Sequence, residues 1–400
     1  MWRNRNVWII LSGEFIAGLG LWVGIIGNLE FLQRHVSSDF FKSLILFIGL
    51  LAGVLVSPMA GKVCDRFPKK TVLLYSGLLR MISVIFMMLA LHFSSIGWMI
   101  MFTIVIQIAA AFYFPALQAT IPLVVEERQL LSMNGVHMNV STISRILGTA
   151  LGGLLLAVVS LYSLYISSFI AYGLLLVATC FLQVSEEKSL IGRQRGKKAN
   201  FSELIPILKQ YPLVKISLLL TIIPTLFLGG FNLTVINISE LQNDSTIKGL
   251  LYTVEGISFM VGTFVLKRIA AKYDMQKMLY AFSLLIAFAH VSLYFADIKI
   301  TSLLSFALFG FSVGCFFPTV ATIFQKTIPK EYHGRFFSLK NMLDRIMFQI
   351  VLLGTGFLLD MIGLKNMMVV FGTVSFILVI YFFAKESRQS VTVQGHDSSL

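Results

Sequence analysis

Charge is what this chain has least of. Only 13% of its 400 residues are Asp, Glu, Lys or Arg, against about 25% in an ordinary soluble domain, which excludes a soluble globular protein. Acidic residues are the scarcer kind, 19 against 32 Lys and Arg. Cysteine is nearly missing, and Cys64, Cys180 and Cys315 stand too far apart for a disulfide framework or a metal-binding spacing. His35, His137, His290 and His333 are scattered in the same way. No Gly-x-x-x-x-Gly-Lys-Ser/Thr loop occurs, so the chain does not hydrolyse ATP through such a loop. These absences argue against an enzyme and against a metal or organic cofactor.

What is abundant is apolar surface: 57% of residues are hydrophobic and the mean hydropathy is +0.84. Apolar runs of about 20 residues, enough to cross a roughly 30 Å hydrocarbon layer as helices, recur from end to end. They predict an all-α membrane protein with twelve transmembrane helices. In the first half these fall at 7–32, 44–63, 72–93, 98–122, 136–159 and 162–184. In the second half they fall at 213–238, 248–269, 278–297, 302–327, 336–359 and 366–384. The first apolar segment is long enough to span and lacks a small-residue cleavage site, so no cleavable signal peptide is expected. The domain reading is an N-terminal six-helix bundle (1–184), a cytoplasmic linker (185–212), a C-terminal six-helix bundle (213–384) and a cytoplasmic tail (385–400).

With the N-terminus inside, 24 of the 32 Lys and Arg fall on cytoplasmic segments, as the positive-inside rule requires. Both termini are therefore expected in the cytoplasm, in a multi-pass protein of the cell membrane. The net charge of +13 reads as a topology signal, and no nucleic-acid partner is expected. The basic linker reads as a solvated segment beside anionic headgroups, and the polar tail as one without fixed structure.

The two halves repeat. Phe114-Pro115 in "FYFPALQATIP" aligns with Phe317-Pro318 in "CFFPTVATIFQKTIP", an offset of 203 (318 − 115). At that offset Gly153 of "LGGLLL" meets Gly356 of "GTGFLL". Parallel repeats of this kind are one way to build a transporter around a central cavity.

Against that background the stretch "GKVCDRFPKK" (Gly61 to Lys70) becomes specific. Gly61, Asp65, Arg66, Lys69 and Lys70, placed between the second and third helices, resemble the signature loop of the major facilitator superfamily, Gly-x-x-x-Asp-Arg-x-Gly-Arg-Arg. Pro68 and Lys69 depart from that pattern, and the second-half counterpart "KRIAAKYDMQK" puts Lys272 where Asp65 would fall. The resemblance covers nearly the whole chain and implies the major facilitator fold, with Asp65 as a conformational latch beside a helix N-terminus and Gly61 allowing close backbone approach. In the fifth helix, Gly148, Gly152 and Gly153 of "SRILGTALGGLLL" resemble the glycine-rich motif of exporters, with Thr149 in place of the usual Pro. The same spacing also serves plain helix packing. The chain is most similar to the branch of macrolide efflux proteins and enterobactin-type exporters.

An ionisable group near a helix centre costs about 2.5–3.5 kcal/mol on insertion scales, so each needs a partner, a watery cavity or a function. Glu14, Glu255 and Asp344 lie well inside spans, with Arg80, Arg145 and Arg345 as basic counterparts, and Glu30 reads as interfacial. Glu255 is the leading proton-coupling residue, with Glu14 and Asp344 beside it. A static pair between Glu255 and Arg145, and a Glu14 carboxylate reaching back to interfacial water, are the plainer alternatives. Asp344 and Arg345, adjacent and so about 100° apart on a helix, should face different partners. With Arg145, Arg345 is expected in gating ion pairs.

Trp22, Phe112, Tyr113, Phe227, Phe231, Asn232, Phe316 and Phe317 form the expected substrate cavity, an aromatic set suited to a bulky amphipathic compound. Each of these rings could equally face lipid or fill the core. The function expected is proton-driven export of a drug, macrolide or siderophore by alternating access. A lipid flippase, or a non-exporting membrane component of a biosynthetic or sensing system, is the alternative. The expected partners are the small-molecule substrate, protons and the bilayer, with the chain a monomer.

Overall fold

In the computed structural model the described residues are 2–126, 129–184, 210–329 and 333–397. The expected linker at 185–212 lies almost wholly outside them. Among the described residues the fold is all-helical, and eleven segments are long and apolar enough to cross a membrane. Helices are what such a sequence must form: in hydrocarbon every backbone N–H and C=O has to find its partner within the chain.

The helices are α1 (Arg5–His35), α2 (Asp39–Arg66), α3 (Lys69–His92), α4 (Ile96–Val124), α5 (Leu130–Val158) and α6 (Leu161–Cys180). There follow α7 (Pro212–Leu220), α8 (Ile222–Gln242), α9 (Ile247–Ala270), α10 (Met275–Ser292), α11 (Lys299–Thr327) and α12 (His333–Asp397). Side chains of Asn4, Ser38, Ser160 and Asp274 accept from backbone N–H groups at the starts of α1, α2, α6 and α10, satisfying donors that a helix leaves free. The run α12 is broken at Gly363, whose φ of 73° and ψ of 169° suit glycine alone.

Three expectations change here. The signature stretch is not a loop: α2 continues to Arg66 and α3 begins at Lys69, leaving Phe67 and Pro68 as the connection. A Cβ on Gly61 would meet nothing within 4 Å, so this glycine admits no close helix approach. The tail is helical to Asp397, because extending an existing helix needs no new nucleation.

The chain divides into two compact units, Met1–Gln194 with Asn243–Thr253, and Arg195–Gln242 with Val254–Leu400. In the first, α1 and α5 meet along a ladder in constant register. A Cβ on Gly18 would collide with Ser144, one on Gly148 would lie 2.8 Å from Trp22 Cβ, and one on Gly152 would lie 3.0 Å from Ile26 Cβ. All three rungs have an offset of 126 (144 − 18, 148 − 22, 152 − 26). The start of α9 belongs to this unit too: a Cβ on Gly153 would stand 2.8 Å from Gly249 Cα.

In the second unit, Cβ atoms on Gly262, Gly310 and Gly314 would run into the carbonyls of Phe311, Glu255 and Phe259 respectively, so α9 and α11 touch backbone to backbone. The first unit has a looser version of this crossing, with a Cβ on Gly53 3.3 Å from the Gln107 carbonyl oxygen. Gln107 and Gly310 differ by 203, the offset of the sequence repeat. Pro115 and Pro318, its anchors, both sit inside helices, α4 and α11.

Candidate functional site

Four helices of the first unit bring Glu14 (α1), Arg80 (α3), Tyr113 (α4) and His137 (α5) together. Tyr113 Oη donates to Glu14 Oε1 at 2.5 Å. Glu14 Oε2 lies 3.6 Å from His137 Nε2, within ion-pair range but beyond a hydrogen bond. The Arg80 guanidinium sits 3.9 Å above the Tyr113 ring, with Phe114 and Tyr172 at 5.7 and 5.8 Å, and its charge acts on Glu14. Arg80 is 5% exposed and Tyr113 2%.

The helix ladder explains why Glu14 finds His137. One turn before Gly18 is Glu14, and the offset of 126 places it beside Val140. His137 lies three residues earlier on the same helical face. The glycines of α5 that pack it on α1 therefore also deliver an imidazole to the carboxylate. Tyr113 and Glu14 had been singled out from the sequence for separate roles; the structure makes them hydrogen-bond partners. Arg80 was recognised only as an embedded charge, and His137 was set aside as one of several scattered histidines.

Other expected residues have different surroundings. Glu30 is buried and doubly paired. Its Oε2 accepts from Lys248 Nζ at 2.8 Å and its Oε1 from Arg34 Nε at 2.7 Å, with the Lys248 side chain wholly buried. Asp344 is half-exposed and pairs with Lys340 one turn back, the contact of a helix surface, and Arg345 beside it is exposed. Glu255 is 4% exposed on α9. Arg145 lies 5.8 Å above the Trp22 ring, which is 6.1 Å from Tyr252.

Of the aromatic set, Trp22, Phe112, Asn232 and Phe317 are half-buried. Phe227 and Phe316 are fully packed, and Phe231 is 7% exposed. Phe227 stacks on Phe309 at 3.7 Å and meets Phe306 edge-on at 5.3 Å, the arrangement of a bundle core. Lys70 Nζ donates to the Cys180 carbonyl at the end of α6, at 2.7 Å, and Arg66 is exposed. The Asp65 side chain lies outside the described residues. No group of three or more His, Cys, Asp or Glu that could hold a metal ion occurs among the described residues.

Membrane-length helices throughout, with charged side chains buried between them, define a multispanning membrane protein. The family model for the Major Facilitator Superfamily matches residues 10–351 and 240–398, and the chain belongs to that superfamily, one of transporters and not of enzymes. It is 24% identical over 375 residues to macrolide efflux protein A of Streptococcus pyogenes, covering 88% of each chain. It is 23% identical over 397 residues to the staphyloferrin A transporter of Staphylococcus aureus, covering 97% of this chain and 98% of that one. Its fold is that of the nucleoside transporter NupG, with a TM-score of 0.70 at 15% identity over 95% of this chain and 98% of NupG.

Proposed function

We propose that this chain is a secondary active transporter that exports an amphipathic small molecule in exchange for protons, by alternating access. The observation that carries the reading is the Glu14 cluster. A carboxylate buried inside a membrane-length helix is costly, and here it is kept with a phenol, an imidazole and a guanidinium around it. Glu255, buried in the second unit, is a second coupling residue. Asp344, on a half-exposed helix surface, is the weaker member of the set.

The break at Gly363 supports twelve crossings, with α7 and α8 forming one span and α12 two. On this reading the halves are six-helix bundles, the termini are cytoplasmic, and the proton gradient is the sole energy source. Relatives named for macrolide efflux and staphyloferrin A transport favour bulky amphipathic cargo, and the half-buried Trp22, Phe112 and Phe317 suit it. Gly148, Gly152 and Gly153 belong in this reading to the gating set, and the Asp65 region to the latch.

The test is proton release from inverted membrane vesicles with an acid interior, followed by a pH-sensitive dye while macrolides, lipophilic cations and catechol siderophores are added. Protein-dependent release with any of them supports exchange and names the cargo class. Silence across the panel, with the protein present in sealed vesicles, rejects it. Movement of a fluorescent phospholipid in those silent vesicles would instead support lipid translocation.

A further inference from the structure

We propose that His137 carries the coupled proton in the first unit, with Glu14 as its fixed counter-ion and Tyr113 and Arg80 as residues that position Glu14. The proposal rests on the exchange reading above and names the atom that reading leaves open.

The groups that face one another here come from four helices: Glu14 on α1, Arg80 on α3, Tyr113 on α4 and His137 on α5. Arg80 is always charged. Its faces are covered by three aromatic rings, and Glu14 is the carboxylate that compensates it. A proton placed on Glu14 would strip that compensation and leave a guanidinium alone in an apolar setting, which is expensive. A proton placed on His137 Nε2 keeps the carboxylate charged and sets a new cation 3.6 Å from it. Chemistry agrees with the electrostatics, since a free imidazole binds a proton roughly 100-fold more tightly than a free carboxylate.

His137 is also placed to receive it. Its Nε2 is buried and makes no hydrogen bond among the described residues, so this nitrogen is the unused position of the cluster. Both oxygens of Glu14 are oriented, one by Tyr113 and the other towards His137. Loading takes the site from net zero (Arg80 positive, Glu14 negative) to net plus one. A cationic substrate meets a less favourable field after loading, and that difference is what exchange requires. Unloading returns the proton from Nε2 to water when the site opens to the other side.

Two measurements test this. The full-length protein with 15N-labelled histidine, in nanodiscs, is titrated by NMR, and among its six histidines the resonance lost in His137→Gln is His137. Its ring resonance should respond to pH, and Glu14→Gln should change that response. A His137 resonance that does not respond to pH, or that responds identically in Glu14→Gln, overturns the proposal.

In inverted vesicles with erythromycin as probe, wild type should release protons. His137→Gln should still exchange labelled erythromycin for unlabelled, without proton movement. Equal proton release by wild type and His137→Gln overturns the proposal and leaves the exchange reading standing. No release by wild type with any member of the panel overturns both.

Discussion

Glu30 of α1 and Lys248 of α9 form an ion pair at 2.8 Å although 218 residues separate them, and the Lys248 side chain has no solvent exposure. Removing one member of such a buried pair costs about 3–5 kcal/mol, whereas replacing both often costs little. Glu30→Gln is expected to destabilise the protein by that amount, and Glu30→Gln with Lys248→Met to recover most of it. Unfolding curves of the two single variants and the double variant in detergent give the coupling directly. Additive losses would show that the pair contributes nothing as a pair.

The glycines make an opposed pair of predictions. A Cβ on Gly249 would stand 2.7 Å from Gly153 Cα, and backbone cannot rotate away as a side chain can. Gly249→Ala should cost about 1–3 kcal/mol and lower the melting temperature. Gly61→Ala, with open space around it, should be neutral or stabilise by about 0.5–1 kcal/mol, because alanine suits a helix better. Thermal melts of the two variants side by side decide it.

Asp297 lies in the short connection between α10 and α11, and Lys365 Nζ stands 2.9 Å from its Oδ1. The hydrogen bond from Lys365 holds the Asp297 carboxyl below its usual 3.8. A lowered folded-state value gives stability that is fully present above pH 3.8 and is lost as pH falls through the folded value. Both groups are exposed, so the gain is small and screened by salt. The melting-temperature gap between wild type and Lys365→Met should shrink on acidification below pH 3.8, and also on adding salt at neutral pH.

At the functional site, Tyr113→Phe removes the hydrogen bond to Glu14 and keeps the ring beneath Arg80. A hydrogen bond to a charged group contributes about 1.5–3 kcal/mol, and that loss is expected. Tyr113→Ala should lose more, since the cation–π contact goes with the ring. Chemical unfolding of the two variants separates the contributions.

Glu255→Gln should stop pH-driven exchange while the protein remains folded and monodisperse. Normal proton-coupled export by this variant would remove Glu255 from the mechanism.

Hydropathy made the membrane-spanning class legible, because a run of twenty apolar side chains admits few other readings. Helix ends were less so. The fifth span was placed at 136, but α5 begins at Leu130. Ser132, Asn134 and Gly135 lower the local hydropathy without breaking the helix, so His137 looked like an end residue when it lies two turns inside. The embedded charges were visible one by one; their partners were not. Glu14 and His137 are 123 residues apart (137 − 14), and only the register of α1 on α5 brings them together. Lys248 was hidden for a related reason: beside a span edge it resembles an ordinary flanking lysine, and burial alone shows otherwise.

Gly363 has a further consequence. The joint inside α12 is a single residue, so the helices on either side are related by phase and not by a tether. One residue inserted just after it, within the helix that follows, would turn everything beyond by about 100° and advance it by about 1.5 Å, presenting a different face of the last helix to its neighbours. Length at this point behaves like a reading frame: a one-residue slip is not local, because it rewrites which side chains meet all the way along the following helix.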